Sequence, residues 1–426
     1  MERRYCLKYT DNKELSFSLP KEVVVREMKS CSVEITKNPK DICYAVARAL
    51  DNPCGKSLEK VLEENGALIL FVVDDHTRST PVKNVLDVLV PRLASRGLKD
   101  SDMSIIIANG AHREMTSEEI KERLGEWGER FRVYQHNCYA SESLDSYGDI
   151  DCIPLQLNKH LKEAQTILAI GSIVPHRFCG WAGGGKIIVP GLSGYDTIFQ
   201  THGRALLCEQ IELGMYPNWF RTFMDEAARR ARLSFLVNFV SGAEGYYGVV
   251  AGIPEDAFKE GMRIGMEYSC QEFDERFDVA IISSYPACQD LWQSGKGFYI
   301  GERLVRNGGT IILASPLIDG IGNHPEFASA LRLSVKEIES LLEGTEVSDP
   351  LGVSVSCAIR KIMETKAITI VTDNSHVKKE LNDVSGLFVC SSIDEALQLT
   401  KPSEMHRVAL VQDLYVLPVE CKAKVR

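Results

Sequence analysis

The sequence of 426 residues lacks the marks of a membrane, secreted or nucleic-acid-binding protein. Its apolar runs, such as 67–73, have the length of a buried strand and are far too short to span a membrane. No apolar stretch follows the basic residues near the start, so no signal peptide is expected. Basic residues are fewer than acidic ones, 49 against 59, whereas proteins that bind nucleic acids usually carry a basic excess. We therefore expect neither a membrane nor a nucleic acid as partner.

Motifs of common metal and cofactor sites are absent as well. The 13 cysteines include no C-x-x-C pair and their number is odd, which favours reduced thiols in a cytoplasmic enzyme over a disulfide framework. The zinc motif H-E-x-x-H does not occur. No G-x-G-x-x-G follows a predicted strand, which argues against an ordinary NAD-dependent dehydrogenase. A metal bound here would have few protein ligands, and a cofactor would have to complete its coordination.

The sequence does contain a repeated order of apolar run, polar loop and helical pattern. Three such runs are 67–73, 104–108 and 166–173. The segment 82–93 has helical periodicity, and Thr116 with Glu119 three residues later indicates the start of another helix. This alternation predicts an α/β fold with mostly parallel sheets flanked by helices.

A second series of strands begins near residue 277. Its apolar runs are 277–284, 310–315 and 367–373. We therefore predict two domains, an N-terminal cofactor-binding and catalytic domain over residues 1–270 and a C-terminal α/β domain over residues 271–426. Because open α/β sheets bind ligands at the carboxyl ends of their strands, the active site is expected in the cleft between the domains.

The densest chemical signal is a Gly-rich segment. Gly180 to Lys186 matches G-x-x-x-x-G-K, which is most of a phosphate-binding P-loop, and makes a Mg-dependent phosphoryl-transfer enzyme the alternative interpretation. That alternative fits poorly, because Ile187 stands where a P-loop has Ser or Thr, and Pro190 cannot continue a helix. In either case the glycines let a ligand approach the backbone closely, and Lys186 supplies a cation or an amine nucleophile.

Histidines and cations stand on the same kind of loop. Three histidines follow predicted strand ends: His112, His176 and His202. Imidazole serves as a base near neutral pH and as a metal ligand. Four cations occupy similar loops: Arg78, Arg113, Arg177 and Lys296. Since arginine binds carboxylates through two parallel hydrogen bonds, these cations favour a small acid as substrate.

Taken together, these motifs resemble the nickel-pincer-dependent lactate racemase family. The matching pieces are Asp75-His76-Thr77-Arg78, Gly110-Ala111-His112-Arg113, His176 to Gly191, Thr197-Ile198 with His202, and Tyr285-Pro286 to Gln293 with Lys296-Gly297. They occur in the family's order over roughly residues 50 to 310 of this sequence. The central block is long and specific, so this chain is identified as a member of the family.

The resemblance implies a cofactor and a role for each matching residue. The cofactor is a nickel-pincer nucleotide (pyridinium-3,5-bisthiocarboxylate mononucleotide nickel), covalently attached at Lys186, with His202 as the protein ligand of nickel. His112 and His176 are implied to be paired acid/base catalysts. The loop of Asp75, His76, Thr77 and Arg78 is implied to contact the cofactor. The residues implied to bind the substrate are Arg78, Gln293 and Lys296.

The family's chemistry is inversion of C2 in a 2-hydroxy acid. Removing the C2 hydrogen as a proton leaves a costly carbanion, whereas removing it as hydride avoids this if a histidine takes the hydroxyl proton. The planar 2-keto acid can then take hydride back on its other face. The resemblance also implies cofactor-biosynthesis proteins as partners in maturation, since the cofactor carries the difficult chemistry.

Three departures from the family's pattern concern the substrate. Trp292 stands where the pattern has tyrosine, Arg177 where it has phenylalanine, and Ala111 where a larger aromatic residue is expected. These changes leave the implied catalytic set intact but can reshape the pocket. The expected substrate is therefore of the lactate type, with malate, aryl-lactates and sugar acids as further options.

Overall fold

The computed structural model describes residues 2–207, 212–343, 347–400 and 405–421, and these fall into two compact units. One comprises Ser32–Ala205 and Gln210–Tyr268, as far as they are described, and is called here the seven-stranded unit after its main sheet. The other comprises Met1–Cys31, Leu206–Glu209 and Ser269–Arg426, within the same limits, and is called the six-stranded unit.

Strands and helices alternate along most of the chain. The strands are β1 (Glu2–Thr10), β2 (Lys13–Pro20), β3 (Val24–Met28), β4 (Ile35–Thr36), β5 (Ile69–Asp74), β6 (Met103–Ala108), β7 (Arg132–Gln135), β8 (Leu144–Ile150), β9 (Ile153–Asn158), β10 (Thr166–Ile173), β11 (Pro175–His176), β12 (Gly180–Trp181), β13 (Leu233–Ser241), β14 (Gly245–Gly252), β15 (Cys270–Phe273), β16 (Phe277–Ser283), β17 (Val305–Ala314), β18 (Ala367–Val371), β19 (Leu387–Cys390), β20 (Arg407–Val411) and β21 (Leu417–Glu420). The helices are α1 (Pro39–Asp51), α2 (Leu58–Asn65), α3 (Val82–Ala94), α4 (Ser117–Leu124), α5 (Trp127–Arg130), α6 (His160–Glu163), α7 (Tyr195–Leu207), α8 (Trp219–Arg230), α9 (Pro254–Ser269), α10 (Leu291–Ser294), α11 (Lys296–Leu304), α12 (Phe327–Ala330), α13 (Val335–Glu343), α14 (Pro350–Met363), α15 (Ser375–Leu381) and α16 (Ile393–Leu399).

The main sheet of the seven-stranded unit has the order β4-β14-β13-β10-β5-β6-β7. The strands from β13 to β7 are parallel, and β14 and β4 add antiparallel pairings at one edge. Residues 69–73 of β5 are all buried, as expected for a central strand covered on both faces. Its apolar side chains pack in one core with those of α1, α2 and α3. The predicted α/β fold with mostly parallel sheets and flanking helices is confirmed.

The strands and helices predicted around this core form close to their expected bounds. The runs 67–73, 104–108 and 166–173 correspond to β5, β6 and β10. The helix predicted at Thr116 begins there with a complete capping box. The Thr116 hydroxyl accepts from the Glu119 amide at 3.3 Å, and the Glu119 carboxylate accepts from the Thr116 amide at 2.7 Å. These bonds satisfy amides that lack a partner in the first turn of a helix.

The six-stranded unit contains a parallel sheet of order β19-β18-β17-β16-β20-β3. The residues that form this unit differ from those of the predicted C-terminal domain, 271–426. The difference is that Met1–Cys31 cluster with the C-terminal part of the chain. The reason is the pairing of β3 with β20, for example Val25 with Val408. β3 is an edge strand with Val24 61% exposed, so its sequence shows no continuous buried run to indicate the sheet.

Among the described residues, no helix is both long enough and apolar enough to cross a membrane.

Candidate active site

Three polar loops of the seven-stranded unit leave the same edge of its sheet. β5 lies between β10 and β6, and all three strands are parallel, so the loops after them start side by side. The chain continues from β5 towards β6 and β7 on one side and later towards β10 and β13 on the other. Such a reversal of strand order opens a crevice where open α/β sheets bind ligands.

The loop after β5 is organised around the buried carboxylate of Asp75. Its Oδ1 accepts from the Thr77 amide at 3.1 Å and from the Thr77 hydroxyl at 2.6 Å. Its Oδ2 pairs with Nδ1 of His112 at 2.5 Å. Burial opposes ionisation of Asp75, but the charge and hydrogen bond of His112, together with Arg78, outweigh it and hold the pKa of this carboxyl well below its usual range. The carboxylate therefore joins two of the loops.

The neighbouring Asp74 fixes the base of the same loop. It forms an ion pair with Arg123 of α4, which also donates to the Asp74 and Arg78 carbonyls. Thr80 donates to Asp74 at 2.5 Å. Burial raises the pKa of Asp74 against the opposing effect of Arg123. Helix α4 thus holds the loop that carries Asp75 and Arg78.

His112 lies on a tight loop after β6. The His112 amide donates to the Asn109 carbonyl at 2.9 Å. Gly110 between them has φ +58 and donates to the Gly191 carbonyl at 3.0 Å, so this loop is bonded to the Gly-rich segment. The His112 side chain is 26% exposed, which leaves it open to a ligand.

His176 ends β11 and is held differently from His112. Its Nδ1 accepts from the backbone amides of Phe178 at 3.2 Å and Cys179 at 3.5 Å. The short β11–β12 pair, in which His176 lies opposite Gly180, sets the turn that brings these amides to the ring. Arg177 next to it is half-buried.

The Gly-rich segment packs its backbone against neighbouring elements. A Cβ on Gly183 would lie 2.5 Å from Cγ1 of Ile173, and one on Gly185 would lie 2.6 Å from the Met224 carbonyl. Only glycine allows this approach. Gly184–Ile187 then forms a single 3₁₀ turn, not the start of an α-helix. The phosphoryl-transfer alternative is not favoured, because a P-loop needs a helix N-terminus facing the phosphates.

Lys186 lies within that 3₁₀ turn and is half-buried. Burial lowers the pKa of Lys186 to about 8; Arg78 and Arg221 lower it further, whereas Cys179 and Asp75 oppose the change. An amine with this pKa loses its proton more readily near neutral pH than an ordinary lysine. It is therefore a better nucleophile than an ordinary surface lysine.

His202 lies on α7, and its position is fixed by its own helix. Its Nδ1 lies 3.0 Å from the Ile198 carbonyl, which can only accept, so Nδ1 carries the proton and Nε2 keeps its lone pair. Burial lowers the pKa of His202 to about 4, and the nearby charge of Lys186 contributes. A carbonyl-bonded imidazole with the other nitrogen unprotonated is the usual arrangement of a metal-binding histidine.

Gln293 and Lys296 lie in the six-stranded unit, where α10 meets α11. The Lys296 ammonium donates to Oε1 of Gln293 at 2.9 Å, so the two side chains form a pair. Trp292 beside them stacks on His324, with ring centroids 3.7 Å apart. His324 in turn contacts Asp349, at 3.1 Å. The structure therefore brings Gln293 and Lys296 together within their own unit.

The structure adds residues to the site that the sequence analysis missed. Arg221 of α8 is 1% exposed and donates to the Gly183 carbonyl at 2.9 Å, although in sequence it looks like half of a surface pair with Asp225. Asn109 is 1% exposed and donates to the His136 carbonyl at 3.0 Å. Its position directly before Gly110, in a loop already singled out, is the signal that could have identified it. Within the described part of the chain, no group of three or more His, Cys, Asp or Glu residues could hold a metal by itself.

Comparison with known proteins matches this chain to one family. Residues 10–214 match the family model of the lactate racemase N-terminal domain. A protein named lactate racemase from Thermoanaerobacterium thermosaccharolyticum is 31% identical over 325 residues, which cover 72% of this chain and 74% of the relative. A lactate racemase from Lactiplantibacillus plantarum is 32% identical over 287 residues, which cover 65% of this chain and 66% of that protein.

Solved structures agree with this match. The lactate racemase apoprotein from T. thermosaccharolyticum superposes with a TM-score of 0.86 at 25% identity, covering 98% of this chain and all (100%) of that one. A protein from Thermotoga maritima has a TM-score of 0.69 at 19% identity, covering 92% of this chain and 100% of that chain, and shows the fold alone. Fold and site together define an α/β enzyme with its polar groups at the carboxyl ends of a parallel sheet. The chain belongs to the lactate racemase family, a family of isomerases.

Proposed function

We propose that this chain interconverts the enantiomers of a 2-hydroxy acid of the lactate type by hydride transfer, with a nickel-pincer nucleotide attached at Lys186. The observation that carries the proposal is the presence in one unit of a half-buried amine with a lowered pKa and a carbonyl-oriented imidazole. Lys186 offers the amine and His202 offers Nε2 to a metal. The charge of Lys186 lowers the pKa of His202, which supports their proximity.

Two buried polar atoms support the fit of a polar cofactor. Nδ1 of His76 and Oδ1 of Asn109 have no hydrogen-bond partner among the described residues. Both belong to loops at the edge of the sheet where the candidate site lies. Buried polar atoms are normally hydrogen-bonded, so a hydroxyl- and phosphate-bearing nucleotide suits this edge. We propose that Asp75, His76, Thr77 and Arg78 contact it, that Lys186 bonds to it covalently, and that His202 is its protein ligand to nickel.

The chain's own residues then have separable tasks. The nickel-pincer nucleotide, when bound, would supply the acceptor for the C2 hydrogen as hydride. His112 and His176 supply the acid/base and hydrogen-bonding groups for the hydroxyl oxygen. Arg78 and the Gln293–Lys296 pair are proposed to hold the carboxylate, since guanidinium and ammonium groups bind such anions. Three further points remain predictions. They are a cytoplasmic location, the need for cofactor-biosynthesis proteins, and activity on malate or sugar acids.

Covalent loading at Lys186 is the first test. Protein produced together with the cofactor-biosynthesis proteins should show an added nucleotide mass and bound nickel, and should racemise lactate. Lys186→Ala should lose all three, because the amine that forms the bond is gone. Lys60→Ala is the matched control, since Lys60 is an exposed lysine of α2 that pairs with Glu63. Full activity and metal content in Lys186→Ala would exclude the assignment.

Hydride transfer is tested by the fate of the C2 hydrogen. Lactate deuterated at C2 should racemise with slow loss of deuterium to water, because hydride returns to the same carbon. A proton held by a histidine would instead exchange with solvent before it returned. Rapid appearance of protium at C2, measured by NMR or mass spectrometry alongside racemisation, would indicate a deprotonating racemase. Parallel assays of single enantiomers of lactate, malate and gluconate rank the substrates.

A further inference from the structure

His324 of the six-stranded unit forms a nearly buried pair with Asp349. Its Nδ1 lies 3.1 and 3.2 Å from the two carboxylate oxygens, and the two side chains are 9% and 8% exposed. Burial opposes ionisation of Asp349, but the hydrogen bond and charge of His324 outweigh it and lower the pKa of this carboxyl. Because a carboxylate can only accept, Nδ1 of His324 carries a hydrogen. Nε2 is then the nitrogen that is left for solvent or a ligand.

The plane of the His324 ring is fixed by its neighbours. The Trp292 indole stacks on it with the ring planes inclined by 24°, and Phe327 packs edge-on against the same indole. A Cβ on Gly352 would lie 2.2 Å from Oδ2 of Asp349 and 3.1 Å from Cβ of His324, so α14 approaches the pair as closely as its backbone allows. The ring is therefore held at one face and at Nδ1, which gives Nε2 a fixed direction.

This pair lies beside Gln293 and Lys296. Helix α10 follows β16, and the loop that carries His324 follows β17, so both start at the carboxyl edge of the same parallel sheet. The Trp292 amide donates to the Ile321 carbonyl at 3.3 Å, which bonds this loop to α10. Trp292 directly precedes Gln293, so their Cα atoms are about 3.8 Å apart. The His324 ring is thus next to the pair that is proposed to hold the substrate carboxylate.

The charges around the His324 ring are mainly negative. Besides Asp349, the Glu326 carboxylate accepts from the Asp349 amide at 3.0 Å. Asp290 caps α10, and its Cγ would lie 3.6 Å from a Cβ on Gly322 in the loop of His324. These carboxylates repel a second carboxylate of a ligand. A hydroxyl is uncharged and both donates and accepts, so it can bind Nε2 in either protonation state of the ring.

We propose that Nε2 of His324 is a subsite for a hydroxyl group beyond C2, so that the preferred substrate is a polyhydroxy acid of the sugar-acid type rather than lactate or malate. The Gln293–Lys296 pair holds the carboxylate at one end of the substrate, and His324 binds a hydroxyl farther along its chain. His324 is then a specificity-determining residue. The proposal rests on the proposed function, which assigns the substrate carboxylate to Gln293 and Lys296.

A comparison of three acids with the loaded enzyme is the first test. They are D-gluconate, 2-hydroxyhexanoate, which has the same carbon chain without hydroxyls beyond C2, and malate. The kcat/KM for gluconate should exceed that for 2-hydroxyhexanoate roughly 10-fold, the effect of one well-placed hydrogen bond, and should also exceed that for malate. Equal values for gluconate and 2-hydroxyhexanoate, or a preference for malate, would overturn the proposal.

Variants of His324 separate recognition from a structural role. The amide nitrogen in His324→Asn takes the place of Nδ1 and can donate to Asp349, but no group replaces Nε2. The ratio of kcat/KM for gluconate to that for 2-hydroxyhexanoate should fall roughly 10-fold, and His324→Gln, whose amide reaches farther, should recover part of it. His406→Asn is the matched control and should keep the wild-type ratio, since His406 is exposed and directly precedes β20, at the opposite edge of the sheet. A merely structural role for His324 would lower both values equally, and an unchanged ratio would contradict the proposal.

Binding can be measured apart from racemisation. The full loaded chain labelled with ¹⁵N-histidine is examined by NMR, and the signal of His324 among the nine histidines is assigned by its loss in His324→Asn. Gluconate should shift the Nε2 resonance of His324, and 2-hydroxyhexanoate should shift it much less. If the loaded enzyme racemises no 2-hydroxy acid, the proposed function is wrong, whereas a shift with gluconate still supports the hydroxyl subsite. Racemisation of lactate without any shift of His324 by gluconate would keep the proposed function and overturn the subsite.

Discussion

Arg221 is a charged residue whose surroundings are set by the tertiary structure. It is 1% exposed, forms an ion pair with Asp225 and stacks 4.1 Å above the Phe258 ring. It donates to the carbonyls of Gly183 and Trp181, at 2.9 and 3.5 Å. A buried guanidinium with these partners fixes the Gly-rich segment just before Lys186.

We predict that Arg221→Met destabilises the protein and reduces cofactor loading. Asp225 is 32% exposed and keeps access to water, but the Gly183 and Trp181 carbonyls lose their charged donor, and a hydrogen bond to a charged group typically contributes about 1.5–3 kcal/mol. Thermal unfolding and the nickel content of protein matured with the biosynthesis proteins measure the two effects. Arg229→Met is the control on the same helix, since Arg229 is 68% exposed. Equal behaviour of the two variants would show that Arg221 does not hold the segment.

Helix α4 connects local sequence to the site at the scale of an element. Its capping box of Thr116 and Glu119 is readable from the sequence, and it starts the helix whose Arg123 binds Asp74. Arg123 also donates to the Arg78 carbonyl at 3.0 Å. The helix that begins after Thr116 thus holds the loop of Arg78, which lies more than thirty residues earlier in the sequence. Only the tertiary structure shows this contact.

Thr116→Ala should lower the stability of the seven-stranded unit by about 1 kcal/mol, the usual cost of losing an N-cap side chain. Hydrogen exchange of the α4 amides should accelerate, because the Glu119 amide loses its acceptor. Ser117→Ala is the matched control, as Ser117 is the first helical residue and its side chain is not the cap. If Ser117→Ala lowered the stability as much as Thr116→Ala, the loss could not be attributed to the capping box.

At the scale of the molecule, acid stability depends on a histidine outside the proposed catalytic set. His136 is 0% exposed, its Nε2 donates to the Ser193 carbonyl at 3.0 Å, and its Nδ1 lies 3.0 Å from Nδ2 of Asn158. Burial lowers the pKa of His136 to about 4, and the bond to Ser193 opposes this only in part. Since its backbone carbonyl binds Asn109, His136 links the loop of His112 to the end of the Gly-rich segment.

The sign of the pH effect follows from that lowered pKa. Between the ordinary value of 6.5 and about 4, the unfolded chain binds a proton at His136 and the folded protein does not, so stability falls as the pH falls through this window. The full difference corresponds to about 3 kcal/mol at 1.36 kcal/mol per pKa unit. Unfolding followed by denaturant at several pH values should show this dependence. His136→Gln should reduce its slope, whereas the part due to His202, whose pKa is also lowered to about 4, should remain. His376→Gln, at a residue 77% exposed, should keep the wild-type slope.

Much of the architecture follows from the sequence alone, because it depends on local patterns. Buried runs determine the positions of β5, β6 and β10, and the capping box determines where α4 begins. The family could be assigned because its motifs are contiguous stretches, such as 75–78, 110–113 and 176–191. The candidate residues Asp75, His112 and Lys186 lie in those stretches, so the order of amino acids is sufficient to identify them.

Tertiary structure decided everything that depends on contacts distant in sequence. β3 joins the six-stranded sheet through pairing with β20, almost four hundred residues away, and no local pattern of Val24–Met28 encodes that partner. The carboxylate of Asp75 reaches Nδ1 of His112, whereas His176 meets backbone amides, and this contrast is invisible in two identical residue letters. Residue type determines which chemistry a side chain can perform. Its protonation, tautomer and direction are set by the groups that the fold places around it.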